Sequence, residues 1–421
     1  MRNGIDADAL VIGAGPAGAS TAILLRLAGW RVILVEKSSY PRQKVCGECL
    51  SAAALALLDQ LGVGAAVRAR AGPELQQVGW MSGASTLVAR LPPCTDGPYR
   101  YGRALGRDQL DAILANRASE LGVVLIQPGK VRSVRGELGY LECDIRLRAP
   151  DCTRPGSAKE SVVRRVSIVV DAHGSWEAGP QDGSRPVPGM PRHASDLFGF
   201  KASFVNASLP QGLLPVLSFR GGYGGLVMAE DDRLTLAGCI RRDTLAGWRA
   251  HLPAASAGSA FELSLRASCQ GLREILAGAR RSSPWLSIGP LRPQIRLSRG
   301  DRVFSVGNAA AETHPLIGEG MSVALQSAVL LASLLTKQPA CAISATRALE
   351  IHQAYRSAWR NVFALRLRLA AIFAHIAMRP VLSRPVTQLL ANWPQLLTVA
   401  AQLAGKARKP VVQPVLLESI Q

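Results

Sequence analysis

A strand, a glycine turn and a helix at the start of the chain constrain its fold more than any other feature. Ala9-Leu10-Val11-Ile12 is a short apolar run, and Gly13-Ala14-Gly15-Pro16-Ala17-Gly18 follows it at once. Ala19 to Ala28 reads as a helix of small and apolar residues ending at Gly29, and Arg31-Val32-Ile33-Leu34-Val35 is a second strand with Glu36 at its end. Gly-x-Gly-x-x-Gly in that setting is the dinucleotide-binding fingerprint, and each part has a mechanical reason. Gly13 permits the tight turn, Gly15 lets backbone approach a pyrophosphate, and Gly18 lets the helix lie close to the strand. The free amides at the helix start, around Pro16 and Ala17, face the phosphates. Glu36 is placed to accept hydrogen bonds from ribose hydroxyls, with Lys37 beside it in the same site.

Downstream, the pattern predicts a helix over Leu50 to Leu61, with Leu55, Leu58 and Leu61 as an apolar stripe. Strand pieces broken by Gly and Pro follow from Gly79 to Pro93, then a helix from Leu110 to Leu121 and a strand at Val123 to Ile126. Val131 to Leu147 and Ser161 to Val170 read as strands around a polar loop near 151–159. A Gly-, Pro- and Ser-rich stretch at about 175–195 marks a crossing between domains. Between Phe198 and Ile240, short apolar runs alternate with Gly-rich turns, which predicts a largely antiparallel sheet. Ala342 to Leu403 reads as mostly helical, broken at Pro380 and Pro385.

The chain is strongly basic: 49 Lys and Arg, 41 of them Arg, against 30 Asp and Glu, a formal +19 over 421 residues. Nucleic-acid binders concentrate cations on one stripe, often with aromatics to stack bases. Here aromatics are 5% and the arginines are scattered, so no nucleic-acid partner is expected. No apolar run reaches the roughly 18 residues of a spanning helix, and Met1 to Asp8 leads straight into a strand with no cleavable leader pattern. The eight Cys have no framework spacing, as expected of reduced thiols in a cytoplasmic chain. Cations are densest at the end. From residue 340 onward ten Lys or Arg (Arg347, Arg356, Arg360, Arg366, Arg368, Arg379, Arg384, Lys406, Arg408, Lys409) face only Glu350 and Glu418. Leu365, Leu367, Leu369, Ile372, Phe373 and Ile376 run among them. Two readings stand: a basic amphipathic surface for peripheral contact with an anionic membrane, or a lid with a solvated basic face.

Two further segments join the fingerprint. Val169-Val170-Asp171-Ala172-His173-Gly174-Ser175 is a strand running into a turn. Arg302-Val303-Phe304-Ser305-Val306-Gly307-Asn308-Ala309-Ala310 continues to His314-Pro315-Leu316-Ile317-Gly318-Glu319-Gly320-Met321. The trio, in this order and spacing, resembles the FAD-dependent oxidoreductases of the aromatic hydroxylase (group A flavin monooxygenase) and geranylgeranyl reductase superfamily, over roughly the first 340 residues. The resemblance implies an α/β fold: a Rossmann-type FAD-binding domain like those of glutathione reductase and p-hydroxybenzoate hydroxylase, an antiparallel-sheet substrate domain and a helical C-terminal segment. The expected boundaries are 1–75, 100–175 and 286–340 for the FAD domain, 76–99 and 176–285 for the substrate domain, and 341–421 for the helical segment.

The same resemblance implies cofactor roles. Pro315, Gly318, Gly320 and Met321 would bring first-turn helix amides to the flavin ring edge, and Gly307 and Asn308 would meet the ribityl chain. Asn308 departs from the usual Asp, and His173 from the usual acid. Arg107, just before helix Asp108 to Leu121, matches an arginine that contacts the cofactor in relatives. Tyr40-Pro41-Arg42-Gln43-Lys44-Val45-Cys46-Gly47-Glu48-Cys49 is similar to the geranylgeranyl reductase branch. It implies Cys46 and Gly47 close to the isoalloxazine, and Arg42 and Lys44 near the cofactor or a nicotinamide partner. Cys46 and Cys49 also form a Cys-x-x-Cys read at a helix start, a placement suited to dithiol chemistry. No second Cys pair at ligand spacing accompanies it, so no metal is expected. His314 is either a helix-entry residue packed near the flavin or a proton donor.

There is no second glycine fingerprint in strand–turn–helix context, so a separate nicotinamide domain is not expected. The Trp-x-Trp-x-x-Ile-Pro segment of flavin-dependent halogenases is missing as well. By resemblance, hydride passes from NAD(P)H as co-substrate to FAD and is then delivered either to oxygen or to a carbon–carbon double bond. Three readings follow. The first is a monooxygenase hydroxylating a hydrophobic aromatic, polyketide, carrier-bound or peptide-borne substrate, with Gly221 to Gly225 roofing a pocket near Phe204, Leu213, Leu214, Val216, Leu217, Leu226 and Val227. The second is a reductase of isoprenoid or polyketide double bonds. The third is a non-catalytic FAD-fold protein that binds prenyl or lipid chains.

Overall fold

The computed structural model describes residues 4–95, 97–137, 139–147, 160–175, 193–297, 302–340 and 343–403. The expected polar loop near 151–159, most of the expected domain crossing and the cations Lys406, Arg408 and Lys409 lie outside the described residues. The strands, in chain order, begin with Ala7–Ile12 (β1), Val32–Val35 (β2), Cys49–Leu50 (β3), Gln77–Ser82 (β4), Ser85–Arg90 (β5) and Arg103–Ala104 (β6). Val124–Ile126 (β7), Gly129–Glu137 (β8), Tyr140–Leu147 (β9) and Ser161–Asp171 (β10) come next. Leu197–Val205 (β11), Leu213–Phe219 (β12), Gly222–Met228 (β13) and Leu234–Arg241 (β14) form the central run. Arg280–Arg281 (β15), Leu286–Leu291 (β16), Gln294–Ile295 (β17), Val303–Ser305 (β18) and Ala311–Glu312 (β19) complete the set. The helices are Pro16–Leu27 (α1), Ala52–Gln60 (α2), Gly64–Arg70 (α3), Arg107–Glu120 (α4), Arg242–His251 (α5) and Ala257–Ser268 (α6). They continue with Gln270–Ile275 (α7), Gly320–Leu335 (α8), Ala345–Ala377 (α9), Pro380–Asn392 (α10) and Gln395–Leu403 (α11).

The first sheet runs β7-β2-β1-β10-β9-β8, with β18 also on β10. β7, β2, β1, β10 and β18 are parallel, which requires crossovers, and α1 and α4 supply helical cover. Continuous apolar runs such as Ala9 to Ile12 and Val32 to Val35 suit strands buried on both faces. Ile23, Leu25, Leu110, Leu114, Leu325 and Phe304 belong to the core beneath. The antiparallel β8–β9–β10 ribbon closes the other side.

The second sheet runs β15-β11-β14-β13-β12-β4-β5, largely antiparallel as expected, with one parallel pair where β4 meets β12. One face carries Phe200, Phe204, Leu217 and Leu236 into a core closed by Phe261, Leu265 and Leu272 of α6 and α7. The registers Gly199↔Cys239↔Tyr223↔Ser218 and Lys201↔Ala237↔Gly225↔Val216 put a second row on the opposite face, toward the first sheet. One boundary moves. β16 pairs antiparallel with β11, so Leu286 to Leu291 belongs to the second sheet and not to the FAD-binding segment.

The helix α9 ties the layers together. Tyr355, Trp359 and Phe363 sink into the first core, and the Tyr355 hydroxyl donates to the Ser305 carbonyl at 2.9 Å. Ala374 and Ala377 reach the second sheet, where the Ser218 hydroxyl donates to the Ala377 carbonyl at 2.8 Å. The chain then bends by 99° into α10. Pro380 stands at the first turn of α10, where a missing N–H costs nothing, but Pro385 lies inside the helix and does not break it. Among the described residues no single helix is long and apolar enough to cross a membrane.

Candidate active site

Two of the three glycines of the fingerprint, Gly13 and Gly18, are fixed by contacts a side chain would destroy. A Cβ at Gly18 would stand 1.8 Å from the Gly13 carbonyl oxygen, and one at Gly13, where φ is +95°, would meet the Ala172 carbonyl oxygen at 2.5 Å. Gly15 differs: its bare face looks at two guanidinium groups, Arg107 at 3.4 Å and Arg42 at 3.8 Å from an added Cβ.

Those arginines are held by two buried carboxylates. Arg107 donates through Nε and Nη2 to both oxygens of Asp111, each at 2.8 Å, and Arg42 reaches the same carboxylate at 3.3 Å. Arg42 also donates to Glu36 at 2.7 Å. The rest of Glu36 serves the turn, accepting from the Ala14 amide at 2.9 Å and the Ser38 amide at 3.0 Å. Glu36, expected on the ribose, therefore also orients Arg42 and braces the glycine loop. Lys44 lines the same end, and burial followed by the neighbouring Arg42 and Arg107 pushes its amine down to about 8.

From this cationic end one cleft runs between the sheets. Gly13, Gly15, Pro16, Ala17, Glu36, Lys37, Arg42, Cys46, Gly47, Arg107, Asn308, Pro315, Gly318, Gly320 and Met321 all line it. Gly18, Gly307 and His314 stand behind the wall. Gly307 (φ +59°) donates its amide to the Ser327 hydroxyl at 2.9 Å, and an added Cβ would crowd Ala17 of α1 at 2.7 Å. Asn308 donates to the Ser175 hydroxyl at 2.8 Å, and His173 beside it is held by Asp171. After a left-handed Gly318, α8 starts at Gly320 as the sequence implies.

The far end of the cleft is apolar: Leu214, Val216, Leu226, Ile288, Leu291 and Leu316 line it. Of the pocket residues expected from sequence, Phe204, Leu213 and Leu217 instead fill the core behind the sheet, and Val227 packs under the C-terminal helices. The strand period sends alternate residues to opposite faces, and runs of apolar residues hide which is which. At the edge of the chamber the Tyr223 hydroxyl meets His314 Nδ1 at 3.0 Å. Burial and then His375, whose ring centre lies 6.4 Å away, push His314 down to about 4. His314 is thus a neutral imidazole at physiological pH and not a charged acid.

The expected placement of the Cys-x-x-Cys at a helix start is corrected. The helix starts at Ala52 with Ser51 as its cap, whereas Cys49 is buried in β3 and donates its thiol to the Gly47 carbonyl at 3.3 Å. Cys46 accepts from the Glu48 amide at 3.4 Å. Sequence reasoning missed Asp111, Tyr223 and the buried pair of Glu48 with Lys201, to which Thr235 also donates. The i,i+4 spacing of Arg107 and Asp111 was a usable signal. For the others, none existed.

Residues 6–153 match the family model described as FAD binding domain. The chain is 26% identical over 358 residues to tryptophan 2-halogenase of Chondromyces crocatus, covering 82% of this chain and 64% of that protein. It is 26% identical over 338 residues to 6-methylpretetramide 4-monooxygenase of Streptomyces rimosus, covering 78% and 74%. The solved myxobacterial chondrochloren halogenase, an FAD-dependent halogenase, superposes with a TM-score of 0.71 at 19% identity, over 98% of this chain and 92% of that one. The fold of the halogenases is therefore shared although their Trp-x-Trp segment is missing.

The residues present fit FAD. Arg42 Nε is buried without a hydrogen-bond partner, two guanidinium groups face the open side of Gly15, Lys44 lines the same cleft, and Gly47 borders open space where a Cβ would touch nothing. A pyrophosphate supplies the acceptors that this donor set lacks.

Proposed function

We propose that this chain, a member of the FAD-dependent oxidoreductase superfamily of aromatic hydroxylases and geranylgeranyl reductases, is an NAD(P)H-using monooxygenase acting on a hydrophobic substrate. The observation that carries this reading is the continuity of one cleft from the Gly15–Arg42–Arg107 end to the chamber of Leu214, Val216, Leu226, Ile288 and Leu291. Bound FAD, once reduced, supplies the activation of molecular oxygen. The protein supplies placement. Arg42, Lys44 and Arg107 would hold the phosphates, Glu36 and Asp111 hold the arginines, and Gly320 and Met321 at the start of α8 would hold the flavin ring. Gly225 and Ala237, small residues opposite each other on β13 and β14, leave room over the chamber floor for a ring or chain. Tyr223 lines the chamber, and its hydroxyl is held at the chamber edge by a hydrogen bond with His314 Nδ1 at 3.0 Å.

The test is oxygen uptake by the purified FAD-loaded protein with NADPH or NADH and apolar aromatic or polyketide candidates. Substrate-dependent uptake with a hydroxylated product supports the reading. Anaerobic turnover to a hydrogenated product would replace it with the double-bond reductase, and strict dependence on chloride or bromide with the halogenase chemistry of the relatives. A flavin that no nicotinamide bleaches would leave only the non-catalytic binding protein.

A further inference from the structure

The C-terminal helices carry an apolar strip and a charge of one sign that neither the cores nor the cleft uses. On α10, Val381, Leu382 and Leu389 are exposed at 84%, 42% and 43%, and Trp393, which follows the helix, at 56%. Leu382, Leu389 and Trp393 fall at i, i+7 and i+11, one line along the helix, while Ser383 and Leu390 point inward. On α9, Leu365 and Ile372 repeat the i, i+7 spacing at 60% and 53% exposure, with Arg368 exposed between them. Leu396 and Val399 continue the exposed apolar surface on α11.

Isolated surface leucines need no explanation, but this concentration on three consecutive helices does. The charge beside it selects the partner. Within 345–402 there are seven arginines and a single acid, Glu350, which pairs with Arg347; Arg366 is buried, and Arg360, Arg368, Arg379 and Arg384 are exposed. A twofold contact with a second copy would set arginine against arginine. A polyanion such as nucleic acid would leave Leu382, Leu389 and Trp393 in water. An anionic bilayer surface satisfies both, taking the apolar strip at the acyl boundary and the guanidinium groups among the headgroups.

We propose that α9 to α11 dock this protein on the surface of an anionic phospholipid bilayer. The docked helices also pack against the second sheet. Leu390, Leu397 and Ala401 pack inward on the cluster that contains Trp80, Leu214 and Tyr223, and Trp80 Nε1 donates to the Thr387 hydroxyl at 2.9 Å. The bilayer would thus face helices that pack on the sheet bearing the apolar chamber. The proposal goes beyond the monooxygenase reading and holds for either flavin reaction.

Vesicle flotation of the FAD-loaded full chain tests it. With equimolar phosphatidylglycerol and phosphatidylcholine at low salt the protein floats; with phosphatidylcholine alone it does not, and high salt releases it. Leu382→Ser/Leu389→Ser lowers the bound fraction about tenfold, with the flavin spectrum unchanged. Brominated acyl chains quench tryptophan emission, and Trp393→Phe removes that quenching. Should the double variant misfold, Arg368→Glu/Arg384→Glu gives the same loss through charge. The proposal is overturned if the wild type does not float on anionic vesicles, if Trp393→Phe leaves quenching intact, or if light scattering finds a dimer that Leu389→Arg dissociates.

Discussion

Glu48 and Lys201, 153 positions apart, form an ion pair in which neither side chain reaches solvent, and it joins the Cys46–Cys49 loop to the floor of the second sheet. Thr235 donates to the other Glu48 oxygen at 2.5 Å, and Arg233 stands 3.8 Å away. The pair links the layer that holds the phosphates to the layer that forms the apolar chamber. Removing one partner strands a charge in the interior. Lys201→Met is expected to cost about 3–5 kcal/mol in urea unfolding. The double variant Glu48→Gln/Lys201→Met should recover about half of that, because the stranded charge is gone. Strictly additive losses would show that the pair is not coupled.

Asp111 sets the geometry of Arg42 and Arg107, the arginines proposed to hold the phosphates, without lining the cleft itself. Asp111→Asn keeps the side-chain volume but loses the charge that clamps Arg107 and Arg42. FAD affinity of the apoprotein, read by quenching of flavin fluorescence, should fall about tenfold. An unchanged affinity would mean that the arginines hold position alone.

FAD binding should depend on pH through Lys44. Its amine, pushed down to about 8, is charged in the free protein below that pH and neutral above it. A pyrophosphate favours the charged form, so the bound amine keeps its proton to higher pH and binding takes up a proton above about 8. Affinity should therefore drop about tenfold between pH 7.5 and 9.5. Lys44→Met should bind more weakly and flatten the profile.

His314 makes stability depend on pH in the acid range. Its imidazole titrates near 6.5 in the unfolded chain and near 4 when folded, so between these values the unfolded state binds more protons. Stability is complete above about 6.5 and is lost as pH falls toward 4, by an amount on the order of 3 kcal/mol. His314→Asn should remove that part of the acid sensitivity in denaturation curves taken at pH 7.5 and 4.5. An identical pH slope in the variant would assign it elsewhere.

The legible parts of this chain are those whose constraints are local. Gly13 and Gly18 are required by carbonyl oxygens within angstroms of where a Cβ would stand, so the fingerprint announced both the fold and the phosphate end of the site. Glu48–Lys201 and Tyr223–His314 had no such signal, because each joins separate motifs across 153 and 91 positions. The inward face of the C-terminal segment was hard to read for a physical reason. Close packing on α9 takes small residues, so Ala370, Ala374 and Ala377 are buried while Leu365 and Ile372 turn outward. Hydrophobicity alone ranks these residues the other way round.

The parallel pairing of β10 with β18 carries a consequence for biosynthesis. Val169, Val170 and Asp171 gain their neighbours Val303, Phe304 and Ser305 only after more than half of the remaining chain has been made. The α8 turn at Gly320 comes later still. A ribosome-bound nascent chain that ends before these segments has the glycine loop but no opposite wall. The pocket that would enclose the flavin is therefore complete only once β18 and the α8 turn have been made.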